Sequence, residues 1–542
     1  MSFALISAAG SKLTSCFSAE YLFVFLPVFL LAYSIVPDRW KKNVLITASC
    51  LFYCLVSGKL IVYLLLTAAL MHWFGIWLDR LQTQMKARLS LAEKEERKAI
   101  KNNFAAKKRA VVTLAAVLQL GTLLTLKYTG FFLTNINTLL SALHSTAQFE
   151  IPSFLVPVGL SFFSLQAVSY LLDVYHGVIP ADENLFRLLL FLGFFPQIVE
   201  GPICRYRQTA EALWNAGPIR YENLRQGLTR IAWGVMKKIV VADRLDPLVK
   251  NVFTDYESFD GGVIALSAVL YTVQLYMDFS GAMDVVLGTA QIIGIALPEN
   301  FKRPFFSKTI SEFWTRWHIT LGAWFRDYVF YPVTTAGPMK KLTIRARKKR
   351  GNHYGPLLAG GIALFCVWLG NGVWHGVGWH FIFFGLYHFA LIYTGNLLSP
   401  LTKRAGALLH IDPERIVFRW LRMLRTAVLV VIGELFFRAN GLWAGLAMFK
   451  TIFTRFSLPV LNAELLSGLG VDWQDLLIVG VAVGIVFAVS VIQEKGVNVC
   501  DTLYRKPTVI RWTVLYALVL FIIVFGAYGN GYTPVDPLYT QY

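Results

Sequence analysis

One histidine, His375, has surroundings that suit chemistry at its imidazole ring. It stands in the run Gly-Asn-Gly-Val-Trp-His-Gly-Val-Gly-Trp-His at 370–380, between the apolar stretches 356–369 and 381–395. Burial favours the neutral imidazole, which is the form that a general base needs. The neighbouring glycines let other groups approach the ring closely. The pattern therefore predicts that His375 does acid–base chemistry inside a membrane.

The segment 305–331 is a second concentration of reactive side chains, because bulky aromatic residues alternate there with charged ones. The charged residues of its central part are Glu312, Arg316, Arg326 and Asp327. A lipid-facing span would not tolerate them, whereas a helix that lines a funnel or lies at the membrane interface would. Ser311 is placed to cap such a helix, with Phe313 and Trp317 among its apolar residues.

The elements that must position these groups are membrane helices. Apolar residues make up 56% of the chain and charged residues 15%, against roughly 25% charged in soluble domains. Many apolar stretches approach the length of a bilayer-spanning helix, and we expect about 11–14 helices that span the membrane or re-enter it. The sequence predicts an all-α polytopic membrane protein in one domain, with zones at 1–150, 151–400 and 401–542.

Charge distribution predicts the topology. The net charge is +19, and the basic residues concentrate in the runs 80–109 and 340–350. Lys and Arg collect in cytoplasmic loops of membrane proteins, so both runs are expected in the cytoplasm and both termini outside it. The cytoplasmic loops account for the positive net charge, so we do not expect nucleic acid as a partner.

A metal centre is not expected. The six cysteines show no metal-type pairing. His375 and His380 do not share a helix face well, and no carboxylate completes a ligand set with them. We therefore expect neither a bound metal nor a bound cofactor.

Sequence blocks in the middle of the chain resemble the membrane-bound O-acyltransferase family, and its bacterial branch in particular. The matching blocks are Pro-Val-Gly-Leu-Ser-Phe-Phe at 157–163, Phe-Pro-Gln-Ile-Val-Glu-Gly-Pro-Ile at 195–203, Tyr-Met-Asp-Phe-Ser-Gly at 276–281, Asn-Phe at 300–301, Arg-Trp-His at 316–318 and Trp-His-Gly at 374–376. That branch includes the alginate O-acetylation protein and the teichoic acid D-alanine transfer protein.

The resemblance implies helices around a central acyl-transfer tunnel and assigns roles to both histidines. His375 aligns with the family's invariant histidine, and His318 with the second histidine of the bacterial branch. His375 would activate the acceptor hydroxyl or carry the acyl group itself. His318 would polarise the thioester carbonyl or assist proton transfer.

The resemblance further implies a cytosolic thioester donor, with acetyl-CoA as the expected substrate. The residues expected at the donor mouth are Arg303, Arg316, Trp317 and Arg326. The arginines either bind the phosphates of the donor or pair with Glu312 and Asp327, and the residue pattern leaves both uses open. An acyl carrier protein is the alternative donor, since the basic run 340–350 suits an acidic partner.

The C-terminal tail carries a further expectation. Its end resembles the tyrosine-containing terminus of bacterial relatives, which predicts that Tyr539 receives the acyl group outside the membrane. An extracytoplasmic, esterase-like partner enzyme would then complete transfer to a glycan. The expected function is acyl transfer, most simply of acetyl, from the cytosol to a cell-wall or exopolysaccharide at the bacterial cytoplasmic membrane. Two alternatives stay open: D-alanyl transfer from a carrier protein to teichoic acid-like polymers, and a membrane transporter.

Overall fold

The protein is built from helices, as its computed structural model shows for residues 15–459, 461–528, 532 and 535. Extended pairing within these residues is confined to an isolated antiparallel bridge between Phe301 and Trp317. The prediction of an all-α membrane protein is confirmed.

The helices follow one another along the chain. In the first half of the chain they are α1 (Leu26–Ile35), α2 (Asp38–Ser57), α3 (Ile61–Leu91), α4 (Arg97–Ala142), α5 (Leu160–His176), α6 (Leu185–Gly193), α7 (Tyr206–Trp214), α8 (Tyr221–Val235), α9 (Asp243–Thr254) and α10 (Gly261–Ile292). In the second half they are α11 (Ile310–Arg316), α12 (Ile319–Phe325), α13 (Tyr331–Thr335), α14 (Gly337–His375), α15 (Trp379–Leu408), α16 (Ile416–Arg438), α17 (Leu442–Thr454), α18 (Ala463–Gly468), α19 (Trp473–Glu494), α20 (Val499–Tyr504) and α21 (Thr508–Phe525). Short π-helices occupy Tyr21–Phe25, Met236–Ala242 and Arg326–Phe330, and 3₁₀ turns occupy Gly58–Leu60, Tyr256–Ser258 and Pro304–Phe306.

Seven helical stretches among the described residues are long and apolar enough to cross a membrane. They are Asp38–Leu91, Arg97–Ala142, Gly261–Ile292, Gly337–His375, Trp379–Leu408, Trp473–Glu494 and Thr508–Phe525. Two shorter apolar helical stretches, Tyr21–Ile35 and Leu442–Thr454, add to them. The multi-pass prediction is confirmed, whereas the larger number of spanning and re-entrant helices stays a prediction.

The chain divides into two compact units, Met1–Leu228 with Val286–Pro298, and Thr229–Val285 with Glu299–Tyr542. In the first unit α3, α4 and α5 pack together. An aromatic cluster surrounds the buried Phe195, whose ring centroid lies 4.9 Å from that of Phe29 and 5.2 Å from that of Phe25. The predicted organisation as one domain in three zones stays a prediction.

The second unit contains the hydrophobic core that supports both histidines. Its helices α14 and α15 form a hairpin, and α16 packs on α15. Buried aromatic residues from these helices, among them Trp368, Phe384 and Phe437, form the centre of that core. The helix α14 is bent at Gly351, whose φ of +78° is left-handed. The bend separates the basic run 340–350 from the apolar part of α14 that ends at His375.

Candidate active site

His375 lies at the end of α14, where a tight connection turns the chain into α15. Gly376 has an extended backbone and ends the helix, and Gly378 precedes the first residue of α15. The two helices approach closely through glycines: a Cβ at Gly372 would collide with the carbonyl of Phe381, and one at Gly385 with the carbonyl of Trp368. Small residues allow such close backbone contact between membrane helices. The hairpin therefore holds His375 on two mutually supported helices.

The imidazole of His375 is enclosed by aromatic rings and is only 5% exposed. The ring centroids of Trp374, Phe437 and Phe384 lie 5.0, 5.2 and 6.0 Å from its own. All three contacts are edge-to-face, the geometry that aromatic pairs prefer. His375 is thus buried and held in orientation, as the sequence pattern predicts.

His318 lies at a break between two short helices, which corrects the prediction of one helix capped by Ser311. The cap of α11 is Thr309, whose hydroxyl accepts a hydrogen bond from the backbone of Glu312 at 3.1 Å. The helix ends at Arg316, and His318 adopts a left-handed backbone, with φ +46°, before α12 begins. Such a conformation is uncommon outside glycine.

Backbone pairing with the segment after α10 explains this break. The amide of Lys302 donates to the carbonyl of Arg316 at 2.9 Å, and the amide of Ile319 donates to the carbonyl of Asn300 at 3.0 Å. These bonds take up backbone groups that a continuous helix would have used internally. The sequence pattern missed the break because the segment that causes it is distant in sequence.

The structure brings the two predicted histidines together. The ring centroids of His318 and His375 are 6.3 Å apart, and the ring of Trp374 contacts both. Phe279 of α10 packs on the other side of His318, with centroids 4.9 Å apart. Burial, and then the neighbouring His375 ring, hold the pKa of His318 well below its usual value of 6.5. The neutral form of His318 is therefore favoured near pH 7.

The arginines expected at the donor mouth all have carboxylate partners. Arg303 and Arg316 share Glu494, at 2.6 and 3.0 Å, and Arg316 also pairs with Glu312 at 2.9 Å. Arg326 pairs with its neighbour Asp327 at 3.1 Å. The pairing that the sequence left open is thus present, with Glu494 as a partner that sequence reasoning missed. Donor binding by these arginines stays a prediction.

Trp317 and Tyr539 have different outcomes. Trp317 is 2% exposed and stacks on Phe313, with ring centroids 5.4 Å apart, so it is part of the aromatic core in this structure. Its contribution to donor binding stays a prediction. Tyr539 lies outside the described residues, and its relay role stays a prediction too. Among the described residues of the tail, the hydroxyl of Tyr532 accepts a hydrogen bond from Arg244 at 3.0 Å.

The contacts of two further sets of polar residues escaped sequence reasoning. Asn300 accepts hydrogen bonds from the His318 ring and from Thr320. Lys238, buried in the π-helix Met236–Ala242, pairs with Asp243 and Asp278 at 2.8 and 2.7 Å. Two adjacent lysines inside the apolar stretch 227–242 were the available signal for the second set, because a buried lysine requires a carboxylate partner.

Comparison with known proteins decides the family of this chain. MBOAT, the membrane-bound O-acyltransferase family, matches residues 109–347, a stretch that includes His318. The protein named "Probable alginate O-acetylase AlgI" of Azotobacter vinelandii is 30% identical over 470 residues, which are 86% of this chain and 84% of that protein. The chain belongs to the membrane-bound O-acyltransferase family. Its predicted identity as an O-acyltransferase enzyme is confirmed, and a transporter is no longer an alternative.

Other relatives of this chain are named for different polymers. The peptidoglycan O-acetyltransferase of Helicobacter pylori is 28% identical over 461 residues, covering 79% of this chain and 78% of that protein. The teichoic acid D-alanyltransferase of Bacillus subtilis is 31% identical over 252 residues, covering 46% of this chain and 60% of that protein. These relatives include both acetyl and D-alanyl transfer.

Proposed function

We propose that this O-acyltransferase takes an acetyl group from acetyl-CoA in the cytosol and delivers it across the membrane for O-acetylation of an extracytoplasmic polysaccharide. The observation that carries the proposal is the meeting of His375 and His318, 6.3 Å apart by ring centroid, in a unit of apolar helices. The names of the alginate and peptidoglycan relatives support acetyl as the acyl group and a polysaccharide as the final acceptor.

The proposed chemistry uses His375 as the general base. It removes the proton from the acceptor hydroxyl as the oxygen attacks the thioester carbonyl, and the C–O bond replaces the C–S bond. His318, next to it, serves the same step, either at the carbonyl or in proton transfer. The aromatic enclosure excludes water, which would otherwise hydrolyse the thioester.

The proposed orientation follows from the basic run 340–350 and the bend that ends it. This run precedes the apolar part of α14, so a cytoplasmic location places the donor side at the start of that span. Arg326 is 58% exposed at its side chain and lies shortly before the run. We place the donor phosphates near Arg303, Arg316 and Arg326, where a donor phosphate would compete with the existing carboxylates. Both termini are then extracytoplasmic, in a bacterial cytoplasmic membrane.

D-alanyl transfer from an acyl carrier protein is the second candidate function. The Bacillus subtilis relative supports it, as does the exposure of most side chains in the run 340–350. Carrier proteins are acidic, and electrostatic complementarity raises the rate of such encounters. Membranes that contain this protein are supplied either with radiolabelled acetyl-CoA or with a radiolabelled D-alanyl carrier. Label incorporated only from the carrier would overturn the acetyl proposal.

The catalytic part of the proposal is tested with His375→Ala and His318→Ala in the same assay. Loss of a general base typically costs about 10²–10⁴-fold in rate, and we expect His375→Ala to fall in that range. His353→Ala is the matched control, because His353 is an exposed histidine on the same helix and bonds the carbonyl of Asn396 at 3.1 Å. Equal activity of the His375 and His353 variants would contradict the proposal.

Tyr539 is proposed as the extracytoplasmic acyl relay that passes the group to a secreted, esterase-like partner enzyme. The tyrosine hydroxyl would attack the thioester carbon while His375 accepts its proton. The C–S bond breaks as the C–O bond forms, the proton passes to the departing thiolate, and an acyl ester is left on the chain. Tyr539→Phe removes that hydroxyl and should abolish a labelled covalent adduct. The control is Tyr532→Phe, which keeps the tail length but changes a tyrosine bound to Arg244. Undiminished glycan acylation by the Tyr539 variant would disprove the relay.

A further inference from the structure

Asn300 is a fully buried polar residue in contact with His318. Its side-chain oxygen Oδ1 accepts three hydrogen bonds: one from the backbone amide of Thr320 at 3.0 Å, one from the Thr320 hydroxyl at 2.9 Å, and one that involves Nδ1 of His318 at 3.3 Å. On the other side, its amide nitrogen Nδ2 lies 3.3 Å from the sulfur of Met283. Asn300 is 0% exposed, so these protein groups surround it.

The contact with the Thr320 backbone identifies which atom of Asn300 faces His318. A backbone N–H can only donate, so the side-chain atom that it reaches must be the oxygen of the amide. A carbonyl oxygen can only accept, so Nδ1 of His318 must carry the hydrogen in this contact. A neutral imidazole has one N–H, and Nε2 of His318 is therefore the nitrogen with the lone pair.

We propose that Asn300 is a positioning residue that holds His318 in the tautomer with a basic Nε2, and so makes His318 a proton acceptor. This inference rests on the proposed function, in which His318 takes part in acyl transfer. It also chooses between the two roles that were open for His318. Polarising the thioester carbonyl would require an N–H at Nε2, but the single hydrogen of the neutral ring is on Nδ1 and directed to Asn300.

The proton balance of the step follows from this tautomer. One proton leaves the acceptor hydroxyl for His375 and passes to Nε2 of His318. It ends on the thiolate that departs when the C–S bond breaks and the C–O bond forms. While His318 is protonated, Asn300 continues to accept from Nδ1, which stabilises the imidazolium without adding a charge. A buried amide oxygen suits this task because it accepts a hydrogen bond from Nδ1 of His318 in both the neutral and the protonated ring.

The backbone and the side chain of Asn300 make different hydrogen bonds, so a substitution can change the side-chain bonds and keep the backbone bond. The backbone carbonyl accepts from Ile319 at 3.0 Å and supports the left-handed turn at His318, and a substitution leaves that bond in place. The side chain contacts the ring through its oxygen Oδ1. Asn300→Asp keeps an acceptor of similar shape, and Asn300→Ser shortens it beyond reach of Nδ1.

The experiment measures the pH dependence of acyl transfer by full-length protein in membranes. In Asn300→Asp, a carboxylate beside His318 favours the imidazolium, so the acid limb of the profile should move to higher pH by about 1–2 units. In Asn300→Ser, kcat should fall roughly 10–100-fold, the loss that follows when a partner orienting a metal-bound histidine is removed, with KM unchanged. Thr320→Val removes the hydroxyl bond to the same oxygen and should keep the wild-type profile.

The outcomes separate this inference from the proposed function. A profile that does not shift in Asn300→Asp, or a kcat that does not fall in Asn300→Ser, overturns the positioning role even where His318→Ala is inactive. Full activity of His318→Ala would instead overturn the proposed role of His318, and the role of Asn300 with it. Because the aspartate and serine variants differ in shape and charge, failure of either one to fold leaves the other as a test.

Discussion

The glycine contact between α14 and α15 offers a direct test of how the site is positioned. In Gly385→Ala the new Cβ would lie well within 3.0 Å of the Trp368 carbonyl oxygen, a separation that real Cβ atoms do not show. Both groups belong to helix backbone, so neither can rotate away. Restoring ordinary contact requires the two helices to move apart by about 1 Å, since packed interiors have no free space to absorb the methyl group.

Gly385→Ala is expected to lower the activity more than it lowers the stability of the protein. His375 ends α14, and its ring contacts Phe384, the residue before Gly385. A displacement of about 1 Å in reacting groups can cost about 10²-fold in rate. Overpacking costs typically 1–3 kcal/mol, and roughly 1 kcal/mol of that is offset by the better helix propensity of alanine. We therefore expect a folded protein with about 1% of the wild-type rate.

Acyl transfer in membranes and thermal unfolding in detergent measure the two effects separately. Gly395→Ala is the matched control, because Gly395 lies on the same helix and a Cβ there meets no atom within 4 Å. The control should keep full activity and unfold at an equal or slightly higher temperature. The reasoning is refuted if Gly385→Ala retains activity within about twofold, or if Gly395→Ala loses as much activity.

Four further substitutions test the packing around the site and in the first unit. Lys238→Met removes the partner of the buried Asp278 and of the nearly buried Asp243, which should destabilise the protein by about 3–5 kcal/mol. An unchanged unfolding temperature in detergent would contradict the pairing. Gly159→Ala should destabilise the protein more than Gly58→Ala. Both glycines have positive φ, but only Gly159 faces a backbone carbonyl. Thermal unfolding of the two variants measures the difference. Trp314→Phe removes the hydrogen bond that Trp314 donates to Nδ1 of His388 at 3.3 Å. It should cost about 1 kcal/mol while leaving KM for the donor unchanged, and a large rise in KM would assign His388 to the site instead of the core.

Features that depend on neighbouring residues could be predicted from the sequence. Apolar runs predict membrane helices because every backbone polar group in lipid must be satisfied within the helix. His375 could be singled out for a similar reason, since an ionisable group between two such runs is costly unless it has a function. The blocks around His318 and His375 also predicted the family before any contact between them was known.

Contacts between distant segments explain what the sequence pattern could not predict. The helix is interrupted at His318 because residues after α10 pair with the backbone of Arg316 and Ile319, and a helical periodicity contains no sign of that partner. Arg303 and Arg316 meet at Glu494, and Lys238 meets Asp278, because separate helices bring them together.

The chemistry of the site therefore has two origins. Residue types and their local spacing specify which groups are costly to bury and which helices bury them. Hydrogen-bond direction at Asn300 and the separation of the two imidazoles depend on backbone packing in three dimensions. The close contacts at Gly372 and Gly385 also depend on this packing. In all of these contacts the two groups come from different segments, and their separation along the sequence does not determine their distance in space.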